Sequence, residues 1–531
     1  MPTPYESSEI RSSDLAKDAS INALLGGTQW KDDTISYSFP SSNSGLLWSQ
    51  FFSGYGSPLG NGEPWSNAFK PLTASERINF EKALQQWANV ADIQFVQVAE
   101  TPEVVGDIRP AYTFDPDGSV LAWSYLPSYS PAASDIWINT QSKLNREEWN
   151  PGSMSFETLM HEIGHSLGLK HPFYEENSSK TADKDEIKDE NEDEDEGVLF
   201  DSVLPDSLDK VSYTIMSYTY ADLEGEEGTG FSFHPTTPMI LDIAAIQYLY
   251  GANDDYHAGN NTYTYTDAQT YHETIWDAGG IDAIVYNGTI PSLFDLNPTG
   301  GSVIGQSVYV QTNGIDLGLP VPNVWIADGV TIENVTAGQS DDILIGNQSS
   351  NILNGGLGID TVIVEAPRNQ FSLTNTINGY TLTEKDESHN EDTLINIERL
   401  TFDDYKLALD LNGHAGEVAK IIGAVFGSNT VSNQVYVGIG LSKLDHGLSY
   451  EQLAALAIKA AGLSEHDEIV ALLWKNLFGS APKESDISPY VNLLDSGDMT
   501  VGGLTLLAAD SSFNVQNINL LELSHTGIAY L

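Results

Sequence analysis

The chain has no cysteine among its 531 residues, and it is poor in basic side chains. The missing thiols exclude a disulfide framework and a latency switch built on cysteine. Lysine and arginine number 23 against 75 aspartates and glutamates, so the formal net charge is −52. This excess of negative charge argues against nucleic acid or an anionic membrane as a partner, and it suits divalent cations.

Long apolar runs are also missing. No stretch approaches about 18 consecutive apolar residues, so we expect no membrane span. The N-terminal stretch carries several charges and no apolar core of about 7–15 residues, so an ordinary secretory signal peptide is not predicted. Either the protein stays inside the cell or it leaves by another route. The length predicts about two to four domains.

The segment HEIGHSLGLKH at 161–171 carries the clearest chemical signal. Apolar side chains recur at helical spacing over 155–167, and Ser155 is the predicted cap of this helix. On a helix, His161 and His165 lie on one face, because they are four residues apart. Two imidazoles placed in this way can hold one zinc ion.

Gly168 can end this helix, because glycine accepts the left-handed conformation of a C-terminal cap. The chain can then turn and bring His171 to the same metal as a third ligand. Three protein ligands leave one position open, as in catalytic zinc sites. Glu162 follows the first ligand and can reach a zinc-activated water as general base. The alternative is a helix with three unrelated histidines, which the fixed spacing disfavours.

A second stretch is SYTIMSY at 212–218. Together with the histidine motif it resembles the metzincin metalloproteases, in which such a stretch forms the Met-turn. Within metzincins the likeness is to the serralysin family, and further matching stretches are GDIRPAY from Gly106, SDIWINT from Ser134 and PMILDIAAIQYLYGAN from Pro238. The resemblance implies that Met216 forms an apolar floor under the zinc. It also implies that Tyr218 contacts the zinc or swings to the oxyanion, although a core aromatic fits the sequence equally well.

Local patterns predict mixed α and β structure in the first part of the chain. Thr73 and Glu76 form a capping-box pattern before an amphipathic helix. Thr237-Pro238 is expected to open a last helix and Gly251 to close it. Strands are predicted at about 93–98, 121–126 and 135–139. The resemblance implies a catalytic domain over 21–251, after an extension or short propeptide at 1–20.

A nine-residue repeat runs from 337 to 363. Its sixth positions are Asp342, Asn351 and Asp360, and its eighth positions are Leu344, Leu353 and Val362. The pattern follows the calcium β-roll of RTX proteins, in which glycines bend each turn, oxygen ligands hold calcium and the apolar eighth residue points inward. A plain β meander rich in glycine and asparagine is the alternative.

Two further stretches, 276–282 and 329–333, resemble calcium-binding segments of serralysins. We therefore expect several structural calcium ions, and a parallel β-roll with a strand-rich extension over 252–405. Asn351 replaces an aspartate and few turns keep all their glycines, so fewer ions are expected than in a long roll. The candidate calcium ligands are Asp277, Gly279, Asp282, Glu333, Asp342, Asn351 and Asp360.

The last part, 406–531, is predicted to be helical, with helices at 415–426, 450–461 and 465–477. It resembles a domain of unknown function found behind β-rolls in exported bacterial proteins. The small apolar ending GIAYL is similar in kind to type I secretion signals, and an ordinary last strand explains it equally well.

One insertion in the first part has two interpretations. An insertion at 175–196 holds 12 acidic residues and 3 lysines, and it reads either as a solvated loop or as a charged rim that selects substrates or takes up cations. The eight other histidines, such as His234 and His257, lack ligand spacing and are predicted to be ordinary surface or loop residues.

Together these patterns predict a multidomain protein with an α+β metzincin zinc-protease domain, a parallel RTX β-roll and a C-terminal α-helical domain. The expected function is that of a secreted, extracellular bacterial zinc endopeptidase, monomeric, that acts on proteins or peptides and leaves the cell by type I secretion machinery. It would use one catalytic zinc, with Glu162 as general base. The alternatives are a non-catalytic calcium-dependent binding or matrix protein with a retained protease fold, and a zinc hydrolase with another substrate.

Overall fold

The computed structural model describes residues 1–43, 45–50, 52, 55, 63–142, 148–173, 202–220, 229–387 and 389–531. The acidic insertion lies outside these residues. The chain forms two compact units. The first holds Met1–Asn261, Asp267–Asp282 and Pro298–Thr331, and the second holds Thr262–Thr266, Ala283–Asn297 and Ile332–Leu531. The predicted four-part division of the chain stays a prediction.

The helices of the described chain follow one another in two groups, four in the first unit and eight in the second. They are α1 (Ala19–Asn22), α2 (Ala74–Val90), α3 (Met154–Leu167), α4 (Ile240–Tyr250), α5 (His414–Phe426), α6 (Gln434–Asp445), α7 (Tyr450–Ala460), α8 (His466–Phe478), α9 (Glu484–Asp495), α10 (Val501–Ala509), α11 (Ser512–Asn517) and α12 (Leu520–Thr526).

Most strands are short. Those up to residue 312 are β1 (Ile10–Ser12), β2 (Thr28–Trp30), β3 (Thr34–Tyr37), β4 (Gln94–Gln97), β5 (Arg109–Thr113), β6 (Ala122–Ser124), β7 (Asp135–Asn139), β8 (Thr229–Phe231), β9 (Thr262–Thr266), β10 (Glu273–Ile275), β11 (Ala283–Asn287), β12 (Leu293–Asp295), β13 (Gly301–Ser302) and β14 (Val308–Thr312). The later ones are β15 (Ile315–Val321), β16 (Val324–Ile326), β17 (Asn334–Thr336), β18 (Ile343–Ile345), β19 (Ile352–Asn354), β20 (Thr361–Val364), β21 (Phe371–Thr376), β22 (Gly379–Glu384), β23 (Glu391–Ile395), β24 (Arg399–Phe402), β25 (Lys406–Ala408) and β26 (Ile528–Tyr530).

Helix α2 starts as the sequence predicts. The Thr73 side chain accepts from the Glu76 amide, and the Glu76 side chain accepts from the Thr73 amide, which completes the capping box. Its apolar stripe is buried against α3, where Trp87 Nε1 donates to the Met160 carbonyl at 3.1 Å. The helix therefore supports the segment that carries the histidine motif.

Two helix starts differ from their predictions. The cap of α3 is Ser153, whose side chain accepts from the Phe156 amide, whereas Ser155 is buried inside the first turn. Helix α4 starts after Met239 and not at Pro238, because the Asp242 carboxylate accepts the Met239 amide and so supplies the missing partner at the helix start. Gly251 follows the last residue of α4, as predicted.

The predicted strands of the first unit are present as β4, β6 and β7. Strand β7 lies between β5, with which it is parallel, and β6, with which it is antiparallel. Asp135 on β7 is fully buried and accepts from Trp48 Nε1 at 2.9 Å and the Tyr55 hydroxyl at 2.8 Å. Burial raises the pKa of Asp135 to about 7. The SDIWINT stretch therefore builds the sheet interior.

In the second unit the chain alternates between two sheets, each of which contains a run of parallel strands and also antiparallel pairs. Strands β9, β11, β17, β19 and β23 are paired in one, and β12, β18, β20 and β24 in the other. Each passage from β17 to β20 changes sheet, so one repeat supplies one strand. The eighth repeat positions Leu344, Leu353 and Val362 are 0%, 0% and 2% exposed, which confirms that they point inward.

The C-terminal part is helical, as predicted. The three expected helices are α5, α7 and α8, and they share an apolar core with most of the other helices of this part. The prediction missed α6 and α9 to α12. Strand β26 pairs antiparallel with β25, so the GIAYL ending forms a strand. Within the described residues, no helix has the length and apolar character that crossing a membrane would need.

Candidate metal centre

The end of α3 sets up the site. Gly168 has φ 109° and ψ 12°, and a Cβ at this position would lie 2.3 Å from the Thr28 carbonyl oxygen. Both the positive φ and the close approach demand glycine. Leu169 then donates its amide to the Gly164 carbonyl at 3.0 Å, which reverses the chain and leads it to His171.

The three histidines of the motif converge. The Nε2 atoms of His161, His165 and His171 are all 3.1 Å from one another. His161 Nδ1 lies 2.7 Å from the Ile215 carbonyl oxygen, and His165 Nδ1 lies 2.8 Å from the Leu169 carbonyl oxygen. A carbonyl can only accept, so these contacts place a proton on Nδ1 and leave Nε2 as a lone-pair donor to a metal.

The donor set fits one zinc ion. Tetrahedral zinc with bonds of about 2.0–2.1 Å separates its nitrogen ligands by roughly 3.3 Å, close to the spacing seen here. Lone pairs on the converging nitrogens repel one another unless a cation or proton lies between them. Within the described ranges, these histidines are the only three metal-ligating side chains whose ligand atoms all lie within 4.8 Å of one another.

Glu162 lies beside this cluster on the same helix and is 4% exposed. Its Oε2 has no hydrogen-bond partner among the described residues. Burial raises the pKa of Glu162 to about 8. A metal's positive charge nearby would lower this pKa again, since it favours the carboxylate.

Met216 packs against α3, and its role as an apolar floor under a zinc ion stays a prediction. It is fully buried, and a Cβ added to Gly164 would lie 2.8 Å from its Sδ. Only a glycine at this point of α3 lets the sulfur approach so closely. Gly164 is not among the site residues predicted from the sequence, and the available signal was a glycine inside a helical pattern.

Tyr218 reaches the histidine cluster. Its hydroxyl lies 2.8 Å from His171 Nε2, and its ring stacks on His161 with centroids 5.6 Å apart. The side chain is 54% exposed. Tyr218 is therefore no core aromatic, and its position permits the predicted contact with a metal or a substrate oxygen.

Asp242 is a residue of the site that the sequence did not reveal. Its Oδ1 accepts from the Thr214 hydroxyl at 2.5 Å, and its Oδ2 accepts from the Ile215 amide at 2.8 Å. The carbonyl oxygen of the same residue, Ile215, accepts from His161 Nδ1. Burial raises the pKa of Asp242 to about 7. Asp242 thus connects α4 through one residue, Ile215, to a predicted zinc ligand.

His234 and His272 correct the prediction that the remaining histidines are ordinary surface or loop residues. They are 8% and 0% exposed. His234 Nδ1 lies 2.7 Å from Glu157 Oε2, and His272 Nδ1 lies 2.9 Å from the Phe233 carbonyl oxygen. Burial lowers the pKa of His272 to about 4. Their partners are distant in the chain, which spacing rules cannot detect.

Some of the calcium candidates lie in a column. Asp342 accepts from the amides of Ser292 at 2.7 Å and Gly338 at 2.8 Å. The Asp342 amide donates to Asp360 Oδ1 at 2.8 Å, and the Asp360 amide donates to Glu398 Oε2 at 2.9 Å. Asp360 Oδ2 is buried without a hydrogen-bond partner among the described residues. Burial raises the pKa of Asp360 to about 7.

Asn351 lies apart from that column. Its Nδ2 donates to the Glu333 carbonyl at 3.0 Å, and its amide donates to Asp392 Oδ1 at 2.9 Å. The remaining candidates lie in the first unit, where Asp277 Oδ1 accepts from the Gly279 amide at 2.9 Å and Asp282 Oδ1 from the Asn261 amide at 2.6 Å. The structure therefore distributes the seven candidates over several turns.

Comparison with known proteins gives consistent matches. Residues 67–187 match the Peptidase_M10 family, described as Matrixin. The chain is 30% identical over 362 residues to a serralysin of Photorhabdus laumondii, which covers 64% of this chain and 65% of the relative. It is 31% identical over 364 residues to the metalloprotease AprA of Pseudomonas entomophila, covering 63% and 65%. A serralysin C of Dickeya chrysanthemi is 34% identical over 297 residues, covering 52% and 54%.

These matches span less than two thirds of the length of the relatives. The family match at residues 67–187 contains the whole of α3 with Glu162, and it contains the three histidines. The resemblance predicted from the zinc motif and the Met-turn is therefore confirmed as a similarity: part of the chain is similar to matrixins and to serralysin-type metalloproteases.

Proposed function

We propose that this chain is a zinc-dependent endopeptidase that hydrolyses peptide bonds in extracellular proteins. The observation that carries the proposal is the convergence of three imidazole Nε2 atoms, 3.1 Å apart, next to the buried Glu162. When bound, zinc supplies the Lewis acidity that polarises a peptide carbonyl and makes water more acidic.

The chain's own groups then have defined tasks. Glu162 takes the proton of the attacking water and passes it to the leaving amine, because it is the buried carboxylate of the zinc motif. The contacts of His161 and His165 with backbone carbonyls keep the two rings in one tautomer and orientation. The exposed hydroxyl of Tyr218 donates to the negative charge that develops on the carbonyl oxygen.

An extended substrate has a place to bind. Strand β6 pairs only with β7 in the described sheet β5-β7-β6, so its other edge is open for main-chain hydrogen bonds. Pairing with a strand edge recognises backbone, which suits a protease that accepts many sequences.

The strands of the second unit fit an RTX-type role. Alternating parallel sheets place the stacked acids Asp342, Asp360 and Glu398 in one column, and calcium would relieve the repulsion between them. We include in the proposal that several calcium ions stabilise this unit outside the cell, after export by type I secretion machinery. The seven predicted ligands and the monomeric state remain predictions.

The alternative of a retired, non-catalytic protease fold is not favoured. Such a protein has no need for a buried carboxylate beside the metal ligands, which costs stability when it is charged and unpaired. Glu162 is intact and positioned, as are the three histidines.

Two single variants, Glu162→Ala and His171→Ala, test the proposal. Glu162→Ala should keep zinc but lose peptide cleavage by several orders of magnitude, because it removes the general base and leaves the ligands. His171→Ala should lose zinc, measured as metal content after dialysis. Cleavage of a diverse peptide pool, with zinc and calcium present, is the activity measurement. Near-normal cleavage by Glu162→Ala would refute the mechanism, and an inactive zinc-loaded parent would refute the function.

A further inference from the structure

A buried carboxylate outside the zinc ligand set, Glu157, lies on α3 one turn before His161. The Tyr220 hydroxyl donates to Glu157 Oε1 at 2.8 Å, and His234 Nδ1 lies 2.7 Å from Glu157 Oε2. Glu157 and His234 are 6% and 8% exposed. Both oxygens of one buried acid are thus occupied by residues 63 and 77 positions further along the chain.

The charge on Glu157 is well placed. It lies in the first turn of α3, where free amides and the helix dipole favour a negative group. A carboxylate accepts shorter and stronger hydrogen bonds than a neutral acid does. The contacts to Tyr220 and His234 are therefore strong attachments between the zinc helix and the chain after the Met-turn.

Tyr220 follows Tyr218 by two residues. Backbone hydrogen bonds also fix the chain between Met216 and Tyr220. Ser217 donates its amide to the Thr214 carbonyl at 3.2 Å, and Val211 donates to the Thr219 carbonyl at 2.8 Å. The segment 217–220 therefore has little freedom to shift as long as Tyr220 is held. Catalytic groups are sensitive to displacements of about 1 Å, which can cost roughly a hundredfold in rate.

We propose that Glu157 is a positioning residue for Tyr218. By holding Tyr220 and His234, it sets where the Tyr218 hydroxyl stands relative to the histidine cluster. The inference rests on the proposed function in one respect, since it assigns to Tyr218 a task in peptide hydrolysis. A buried acid that serves stability alone is the competing explanation, and the two differ in whether the effect passes through Tyr218.

The kinetic test is a double-mutant cycle. Tyr220→Phe removes one hydroxyl and should lower kcat roughly tenfold while KM and zinc affinity change less than about twofold. In a Tyr218→Phe background the same change should have no further effect on kcat, because the group that it positions is already gone. Glu157→Gln should behave like Tyr220→Phe. An equal fractional loss of kcat in both backgrounds would overturn the proposal.

A second readout does not depend on activity. In the zinc-loaded protein, amide hydrogen exchange over 217–220 should be faster in Tyr220→Phe and Glu157→Gln than in the parent, whereas Tyr248→Phe on the exposed side of α4 is the matched control. Unchanged exchange in both variants would overturn the proposal. If the parent cleaves no peptide, the proposed function fails, and the exchange experiment still decides whether Glu157 holds this segment.

Discussion

At the scale of single residues, glycine stands at positions 164 and 168 of the zinc motif for two different physical reasons. Gly168 is required by its own backbone, which has a positive φ, and by the nearby Thr28 carbonyl. Gly164 lies inside α3, where alanine would normally be the better helix former. A methyl group here would lie 2.8 Å from the Met216 sulfur and 3.2 Å from the Trp87 ring, so one of these buried side chains would have to shift.

Gly164→Ala should therefore destabilise the protein by about 1–3 kcal/mol through overpacking, although alanine favours helices by about 1 kcal/mol. The displaced Met216 segment includes Ile215, whose carbonyl holds His161, so zinc binding should weaken too. Denaturant unfolding and zinc competition with a chelator measure the two effects. Met216→Ala in the same chain should restore part of the loss. A Gly164→Ala protein as stable as the parent would contradict this account of the contact.

At the scale of elements, α4 and β7 each carry a buried aspartate whose hydrogen-bond partners lie on other segments of the chain. Asp242 on α4 holds the Thr214 hydroxyl and the Ile215 amide of the Met-turn. Asp135 on β7 holds the Trp48 and Tyr55 side chains. The first joins a helix to the metal site, and the second joins a strand to an aromatic cluster.

Asp242→Asn should weaken zinc binding roughly 10–100-fold, the usual effect of losing an outer contact of a metal ligand. Asparagine keeps only one acceptor oxygen, so it cannot accept from the Thr214 hydroxyl and the Ile215 amide at once, and the hold on the residue that orients His161 weakens. Thr214→Val removes one of these bonds and should have a smaller effect, and Asp254→Asn on the surface should have none. Zinc dissociation constants from chelator competition decide. Equal affinity in Asp242→Asn and parent would show that Asp242 supports α4 alone.

Asp135 should make the stability of the first unit depend on pH. Its pKa is about 7 in the folded chain and 3.8 in the reference state, so the folded chain binds this proton more tightly. The stabilisation is complete below about pH 4 and is lost as the pH rises towards about 7. In Asp135→Asn the side chain is neutral at every pH. The melting temperature of this variant should therefore fall less than that of the parent between about pH 4 and about pH 7. Asp254→Asn is the control, and identical pH profiles would contradict the prediction.

At the scale of the whole molecule, acidity dominates. The net charge is −52, so the acidic side chains repel one another at low ionic strength. This repulsion is strongest where acids are stacked in the second unit. The acidic insertion at 175–196, which lies outside the described residues, adds to the same field. Whether it selects cationic substrates or is only a solvated loop stays a prediction.

Calcium should therefore raise the stability of the second unit. Asp342, Asp360 and Glu398 form one column, and burial raises the pKa of each because it disfavours the charged form. Titration with millimolar calcium should raise the melting temperature and the β-structure seen by circular dichroism. Sodium chloride at the same ionic strength is the control for screening. A rise of the same size with sodium would mean that no calcium site exists there.

Much of the fold was open to prediction from local pattern. The capping box of α2, the strands β6 and β7, the inward eighth repeat positions and three C-terminal helices follow from spacing within a few residues. Helices α6 and α9 to α12 were missed; α9 contains Pro489, and α11 and α12 have only 6 and 7 residues, so their periodicity is weak. These helices are stabilised by packing their apolar side chains into the shared core, and the local sequence does not show that packing.

By itself, the sequence predicted the three histidines, Glu162 and Gly168 as one site, because a helix and its closing turn convert fixed spacing into proximity. Met216 and Tyr218 were predicted from the resemblance of their segment to a Met-turn. Only the tertiary structure decided the rest of the site. Glu157 with His234, Asp242 with Ile215 and Gly164 with Met216 are contacts between residues far apart in the chain. Such pairs form because packing leaves buried polar groups and tight spaces that distant side chains must satisfy, and no periodicity records them.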